Sequence, residues 1–369
     1  MDGRYLAALS TTVGTIIGAG MLALPYAVSK SGFFNGLILF VLLGIAGTFI
    51  TLYTVELSFR SKTLQQLPVL ISKYTTKRLR WIVLGLQVFT LYGAQIGYLI
   101  GLGLILTALV GFPYTISVSV IFLLSLPLVY KGYAMVEDAE TPLTIAKIGL
   151  IVALIIIVMF SFKTANVSYS DTTQFFVPFG VILFSLGSFS IIPEVKEELG
   201  KNKKMLTSVI VAAYVISLAL YILFTLAFIG TFGQSVGVIA TSLISSGAYE
   251  QLVLIFTLFL LITPYIAVSL ALTDAFNYDF GLKRHLGLAS AIMVPFVIAA
   301  ISSAFMSALQ ITGGVFYALL SLLILFGVYE SRNKLGKNPA FTVPGGYAML
   351  IFTGAIMAIG MIYTVYYVL

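Results

Sequence analysis

"GTIIGAGMLALPYA", residues 14–27, lies inside the first apolar stretch of the chain and holds three glycines and a proline. Glycine and proline disfavour a helix interior by about 1 and about 3 kcal/mol relative to alanine. The residues on either side nevertheless make an apolar run long enough to cross about 30 Å of hydrocarbon. Unpaired backbone groups are strongly unfavourable in lipid, so irregular backbone survives there only where it faces protein or a watery cavity. The stretch therefore reads as a deliberate break in a membrane-spanning helix.

Working outward, the same apolar character fills the chain. Of 369 residues 60% are hydrophobic and 9% charged, with a mean hydropathy of +1.09. Twenty Lys+Arg and 13 Asp+Glu cannot give a soluble domain of this size a charged shell. Long continuous apolar runs predict helices rather than the short alternating strands of a barrel. Eleven spans are predicted, at 5–29, 36–59, 81–110, 115–130, 142–162, 174–193, 205–230, 250–276, 286–303, 305–329 and 347–368. The first is too long and too glycine-broken for a signal-peptide core, and it is read as retained. The chain is expected to be an all-α polytopic membrane protein.

The basic residues sort by side. With the N-terminus in the cytoplasm, Arg4, Arg60, Lys62, Lys73 and the cluster Lys77–Arg80 fall inside, as do Lys131 and Lys196. Lys201, Lys203, Lys204, Lys283, Arg284, Arg332, Lys334 and Lys337 join them, against Lys30 and Lys163 outside. This predicts a cytoplasmic N-terminus and an outer C-terminus, and it makes the net charge of +7 an orientation device rather than a nucleic-acid footprint. The longest polar connections, 61–80, 131–141, 194–204 and 330–346, are all on the inner side. The first is expected to lie along the membrane surface. The nearly uncharged outer segment 231–247 is read either as a lid over an outer vestibule or as plain surface packing.

A second stretch resembles the first. "FSLGSFSIIPE", residues 184–194, also places glycine and small residues mid-span with a proline shortly after, Gly187 then Pro193, as Gly18 precedes Pro25. The two spans run in opposite directions. Five spans per half invert the second half, giving a five-plus-five repeat with residues 1–162 and 174–329 as halves and 347–368 as an added helix. Paired breaks at matching positions point to one shared central site. A half-helix starting within the membrane offers N–H groups and a positive dipole end to a carboxylate, and the end before it offers carbonyls to an ammonium. Together they suit a zwitterion, an α-amino acid. The competing reading of Gly14-x-x-x-Gly18 alone is a close-packing face.

"GTIIGAGMLALPYAVSKSGF", "FSLGSFSIIPEVKEEL" and "TPYIAVSLALTDAFNYDF" resemble the first, sixth and eighth helices of amino acid/auxin permeases. The resemblance is to their prokaryotic aromatic and hydroxy amino acid permease branch, within the amino acid–polyamine–organocation superfamily. It implies the inverted-repeat fold with helices 1 and 6 discontinuous, and secondary amino acid transport across the cell membrane. Carried over by motif, Ile17, Gly18, Ala19 and Gly20 form the unwound stretch that holds a substrate's carboxylate and amine. Ser185, Leu186, Gly187 and Ser188 are their counterpart. Phe184 and Phe189 flank that break and either pack on a substrate side chain or serve as ordinary core or lipid-facing aromatics.

In the third span Tyr92, Gln95 and Tyr98 fall near mid-membrane. The Gln95 amide needs a partner in hydrocarbon, either another helix or the ligand. Lys147 lies inside the fifth span. It either snorkels to the interface or lines a pathway. Desolvation favours a neutral amine, so such a lysine can trade protons. The superfamily's proton-coupled members carry a fifth-helix lysine where relatives bind sodium. Thr263 and Ser269 of the eighth span are its expected neighbours. Arg4 and Asp274 are read as a pair able to latch the inner vestibule, and Glu56 and Arg60 as an i, i+4 ion pair.

No His/Asp/Glu cluster has metal-ligand spacing, there are no cysteines, and no nucleotide cradle or paired intramembrane acid and base is present. Lone His285 sits beside Lys283 and Arg284. An enzyme, a metal centre and a cofactor are therefore not expected. The leading expectation is proton-coupled symport of aromatic or large neutral amino acids by alternating access, with the amino acid, H⁺ and the lipid bilayer as partners. Sodium coupling, exchange, and a membrane amino acid sensor without net transport are the alternatives.

Overall fold

The computed structural model describes residues 3–61, 66–131, 140–200, 202–243, 248–335 and 341–368. All regular structure among them is helical. The chain opens with α1 (Gly3–Ile16) and α2 (Gly20–Ser31), separated by a break that bends the path by 51°. Gly32, at φ 92°, turns α2 into α3 (Phe33–Arg60). There follow α4 (Leu67–Tyr74), α5 (Lys77–Val110), α6 (Tyr114–Lys131) and α7 (Glu140–Met159). Left-handed Gly111 ends α5 as a C-cap, its N–H bonding the Thr107 carbonyl.

The second run begins with α8 (Phe179–Ser185), a short 3₁₀ turn (Phe189–Ile191) and α9 (Ile192–Leu199). Then come α10 (Lys203–Phe232), α11 (Ala248–Asp274) with a π turn (Ala275–Asp279), and α12 (Arg284–Ile301). α13 (Phe305–Ile311) passes through a π segment (Thr312–Tyr317) into α14 (Ala318–Leu335), and α15 (Gly346–Val368) closes the described chain. By length and composition eight described helices can cross a membrane, or nine counting the bent α1–α2 pair, and α6 is a shorter apolar helix. Large apolar side chains such as Leu124, Val215 and Ile351 stand exposed on the outside, as lipid rather than water requires.

Two expected boundaries need correction. The sixth span does not end near residue 193. It is two short helices, and α9 occupies most of what was read as the polar connection 194–204, with Pro193 in its first turn, where a missing N–H is no loss. The tenth span stands where expected and carries a π segment around Gly313 and Gly314. A Cβ on Gly313 would collide with the Gly180 carbonyl, so glycine lets this segment lie directly on α8. The connection 61–80 holds α4 and is shorter than expected, since α5 begins at Lys77. Segment 231–247, where described, packs against α2, with the Gln234 amide donating to the Ser29 carbonyl at 2.8 Å, and residues 244–247 lie outside the description.

At the end of the bundle that carries most basic residues, the expected Glu56–Arg60 pair is present at 2.8 Å, but it is part of something larger. Arg332 from α14 grips the same carboxylate with Nε and a terminal nitrogen, at 2.8 and 2.7 Å. The Val343 N–H adds a bond at 2.9 Å. Glu56 is fully buried, so this knot joins α3, α14 and the approach to α15 around one desolvated anion. Removing one partner of such a cluster leaves uncompensated buried charge. Glu56→Ala is expected to destabilise the protein by about 3–5 kcal/mol, read as a lower thermal midpoint in detergent. Glu330→Ala, which loses only the outlying pair with Lys334, should stay within about 1 kcal/mol of the parent.

Candidate functional site

Two breaks in helical hydrogen bonding meet inside the molecule. In the first, Ile17 N–H still reaches the Val13 carbonyl, and helical bonding resumes with Met21 N–H to Gly18 and Leu22 N–H to Ala19. Between them the carbonyls of Gly14, Thr15 and Ile16 receive no i+4 N–H among the described backbone bonds. In the second, Leu186 N–H bonds Ile182 and Gly187 N–H bonds Phe184, after which the path resumes with Ile191 N–H to Ser188. The breaks touch. A Cβ on Gly20 would run into the side chains of Ser185 and Phe184, so glycine there sets how closely α2 approaches α8.

Tyrosine hydroxyls serve the stranded backbone. Tyr221, fully buried on α10, donates to the Ile16 carbonyl at 2.6 Å and stands 3.0 Å from the Ser185 carbonyl, one acceptor from each break. The Gly18 N–H faces the same oxygen. One hydroxyl carries one proton, so it can serve only one of these carbonyls at a time. Tyr214, two turns earlier on the same face of α10, donates to the Leu186 carbonyl at 2.9 Å. It also receives the Ser188 hydroxyl at 3.0 Å and lies 2.8 Å from the Thr51 hydroxyl of α3. From the other side, Tyr98 of α5 faces the Ala19 N–H and Tyr317 faces the Phe189 N–H. The Phe189 and Tyr317 rings pack with centroids 4.4 Å apart.

A cavity of about 120 Å³ opens beside the breaks. Gly18, Gly20, Phe184, Ser185, Gly187 and Phe189 line it. Across from them stand Gln87, Thr90, Leu91 and Tyr98 of α5, with Tyr317. Ile17, Ala19, Leu186 and Ser188, also expected at the site, are buried in the breaks themselves and do not line the cavity. A second cavity of about 120 Å³ lies alongside, sharing Thr15, Tyr98 and Val268 as wall. It contains Lys147 and Thr263, and the Thr263 hydroxyl oxygen is buried with no hydrogen-bond partner among the described residues.

Several expected residues lie elsewhere. Gln95 is fully buried but donates at 2.8 Å to Ser269, tying α5 to α11. That bond, with the one Ser269 gives to the Tyr265 carbonyl, engages Ser269 away from Lys147. Tyr92 donates to the Ser290 carbonyl of α12 at 2.8 Å. Both Gln95 and Tyr92 are thus turned to neighbouring helices rather than to the cavity. Arg4 is exposed in the first turn of α1, and Arg284 is a cation whose field reaches Asp274. Among the described residues no cluster of His, Cys, Asp and Glu could hold a metal ion. Tyr214, Tyr221, Tyr317 and Gln87 were missed. The two α10 tyrosines, seven apart in a span, were a usable clue, since a hydroxyl in hydrocarbon needs a partner.

If the Tyr221 hydroxyl carries the breaks, Tyr221→Phe should destabilise the protein by about 1–3 kcal/mol, because buried carbonyls lose their donor. Tyr53→Phe is the control, since the Tyr53 hydroxyl is buried without a partner among the described residues and its loss should be neutral. Equal thermal midpoints for the two variants would mean that Tyr221 holds nothing.

The geometry can now be set beside known proteins. A "Tryptophan-specific transport protein" of Shigella flexneri is 23% identical over 372 residues, covering 91% of this chain and 89% of that protein. A "Tyrosine-specific transport system 1" of Haemophilus influenzae is 26% identical over 380 residues, covering 95% and 93%. The fold is similar to that in a crystal structure of a mutant Eremococcus coleocola manganese transporter, with a TM-score of 0.67 at 14% identity over 98% of this chain and 87% of that one. A sequence profile of the tryptophan/tyrosine permease family matches residues 1–366, in agreement with the aromatic branch inferred from the three motifs. With paired helix breaks around an aromatic-walled cavity and a family match over nearly its whole length, this chain belongs to the tryptophan/tyrosine permease family.

Proposed function

We propose that this protein is a secondary transporter of aromatic amino acids that works by alternating access. The observation that carries this reading is the meeting of two helix breaks at one cavity with aromatic walls. The broken ends supply both halves of a zwitterion's needs. N–H groups at the start of α2 suit the carboxylate, and the carbonyls that end α1 and α8 suit the ammonium. Phe184, Phe189 and Tyr317 then offer ring faces to an aromatic side chain. The named activities of the Shigella and Haemophilus relatives, tryptophan and tyrosine transport, support the same substrate class.

On this reading the chain makes eleven crossings. α1–α2 through α7 form the first half, α8–α9 through α14 an inverted second half, and α15 is added. The breaks at corresponding places in the two halves support this, as does the fold likeness to a transporter. The bundle of α1–α2, α3, α8–α9 and α10 rocks against α5, α6, α11 and α12, exposing the cavity first to one side and then to the other. The basic end faces the cytoplasm, following the distribution of lysine and arginine.

Proton coupling is assigned to Lys147 in the second cavity. Its ammonium repels Na⁺ from the space beside Thr263, and desolvation on closure favours release of the proton. Tyr98 and Thr15 stand between this cavity and the substrate's, so occupancy of one is felt at the wall of the other.

Binding is tested by thermal stabilisation in detergent, since a ligand of the folded state raises the midpoint. Tryptophan or tyrosine should do so with or without Na⁺, and alanine and glutamate should not. No shift with any aromatic amino acid would overturn the substrate class. In proteoliposomes an inward proton gradient should accelerate uptake, and Lys147→Met should abolish that response while leaving tryptophan binding measurable. A Lys147→Met protein that still answers the gradient fully would remove Lys147 from the coupling step.

A further inference from the structure

Beside the cavity at the breaks stands a polar group that the protein leaves unanswered. Gln87 lines it from α5, and its Oε1 is buried with no hydrogen-bond partner among the described residues. The threonine and serine hydroxyls of the wall are engaged. The hydroxyls of Thr15, Thr90 and Ser185 each donate to the carbonyl four residues back, at 2.9, 2.7 and 2.7 Å. Those of Tyr98 and Tyr317 face backbone N–H groups of the breaks. Leu91, Ala94 and Leu320 of the same wall have no polar side-chain atom to offer. Burying an amide oxygen without a donor is destabilising, and a ligand cavity that keeps one is built to take the donor from its occupant.

We infer that Gln87 determines specificity by reading the polar edge of an aromatic side chain. Its Oε1 accepts the indole N–H of tryptophan or the phenol O–H of tyrosine, and phenylalanine leaves it unpaired. The inference rests on the aromatic transport reading and deepens it. Gln87, Leu91, Ala94 and Tyr98 share one face of α5. Gln87 lies about 16 Å along the helix from Tyr98. Tyr98 marks the end of the cavity at the breaks, since a Cβ on Gly18 would meet its hydroxyl. A ligand anchored there approaches Gln87 only through a long side chain that the Gln87 side chain meets part-way, and alanine or serine stops short. Turned over, the amide presents its NH₂ to a phenol oxygen, so tyrosine is satisfied in either orientation. A site built around such a hydrogen bond rejects the analogue lacking it far more strongly than an apolar pocket separates ligands by size.

The test is a cycle between ligand and side chain. Binding of tryptophan and of 3-benzothienylalanine, which has sulfur in place of the indole N–H, is measured on the parent and on Gln87→Leu, with Gln87→Met as a second variant should leucine impair folding. The parent should prefer tryptophan by about tenfold or more. Both variants should lose that preference while binding the sulfur analogue at least as well as the parent does. An unchanged preference in the variants, or none in the parent, overturns the role of Gln87 while leaving aromatic transport standing. A parent that binds neither ligand, nor tyrosine, nor phenylalanine, overturns the transport reading itself.

Discussion

Everything in this structure depends on how backbone hydrogen bonds are completed where water is absent. A helix completes its own, and a chain that interrupts two of them within the membrane must provide substitutes. Here the substitutes are tyrosines. Tyr214 and Tyr221 reach from one face of α10 to carbonyls of both breaks, and Tyr98 and Tyr317 stand beside N–H groups on the opposite side. The phenol suits the task, because it carries a donor and acceptor on a rigid apolar stem that packs like any core side chain. Glycine does the rest. Without a Cβ, Gly20 lets α2 lie on Ser185, and Gly313 lets the π segment lie on α8. The breaks are held open by packing, not by loose chain.

Much of this was legible because glycine and proline have few uses inside an apolar span. The first break could be placed from Gly18, Gly20 and Pro25, and the second from Gly187 and Pro193, since each is local in sequence. What could not be read was rotation. α5 is apolar all round, so nothing in its pattern says which stripe faces the cavity, and a shift of one residue turns the helix by about 100°. Tyr92 and Gln95 were natural candidates, yet that rotation sends them to α12 and α11, while Gln87 and Tyr98 face inward. Partners distant in sequence were equally hidden. The Glu56–Arg60 pair is one helical turn and could be foreseen, whereas Arg332 reaches the same carboxylate from α14. The π segment at Thr312–Tyr317 has two adjacent glycines, but glycine alone does not distinguish a π turn from close packing.

The two cavities also explain why a nearly uncharged interior can discriminate between ligands. Beside each lies a buried polar atom without a partner among the described residues, Gln87 Oε1 at one and Thr263 Oγ1 at the other. In a low-dielectric setting a few such atoms have large influence, because the alternative to pairing them is a desolvated dipole. On the proposed reading the first meets the side chain of the cargo and the second lies beside the coupling lysine. Tyr98 stands at the wall between them.

The knot around Glu56 has a mechanical side. It fastens α3, which lies in the proposed rocking bundle, to α14, which lies outside it, and parting it would leave Arg332 without its carboxylate and Glu56 with only Arg60 to answer its charge. Such a joint does not open and close with each turnover at modest energy. Displacement between the two bodies is then smallest at the knot and grows with distance from it. On the proposed reading the knot is a local fulcrum, and opening toward the basic end falls to the face of the bundle away from it.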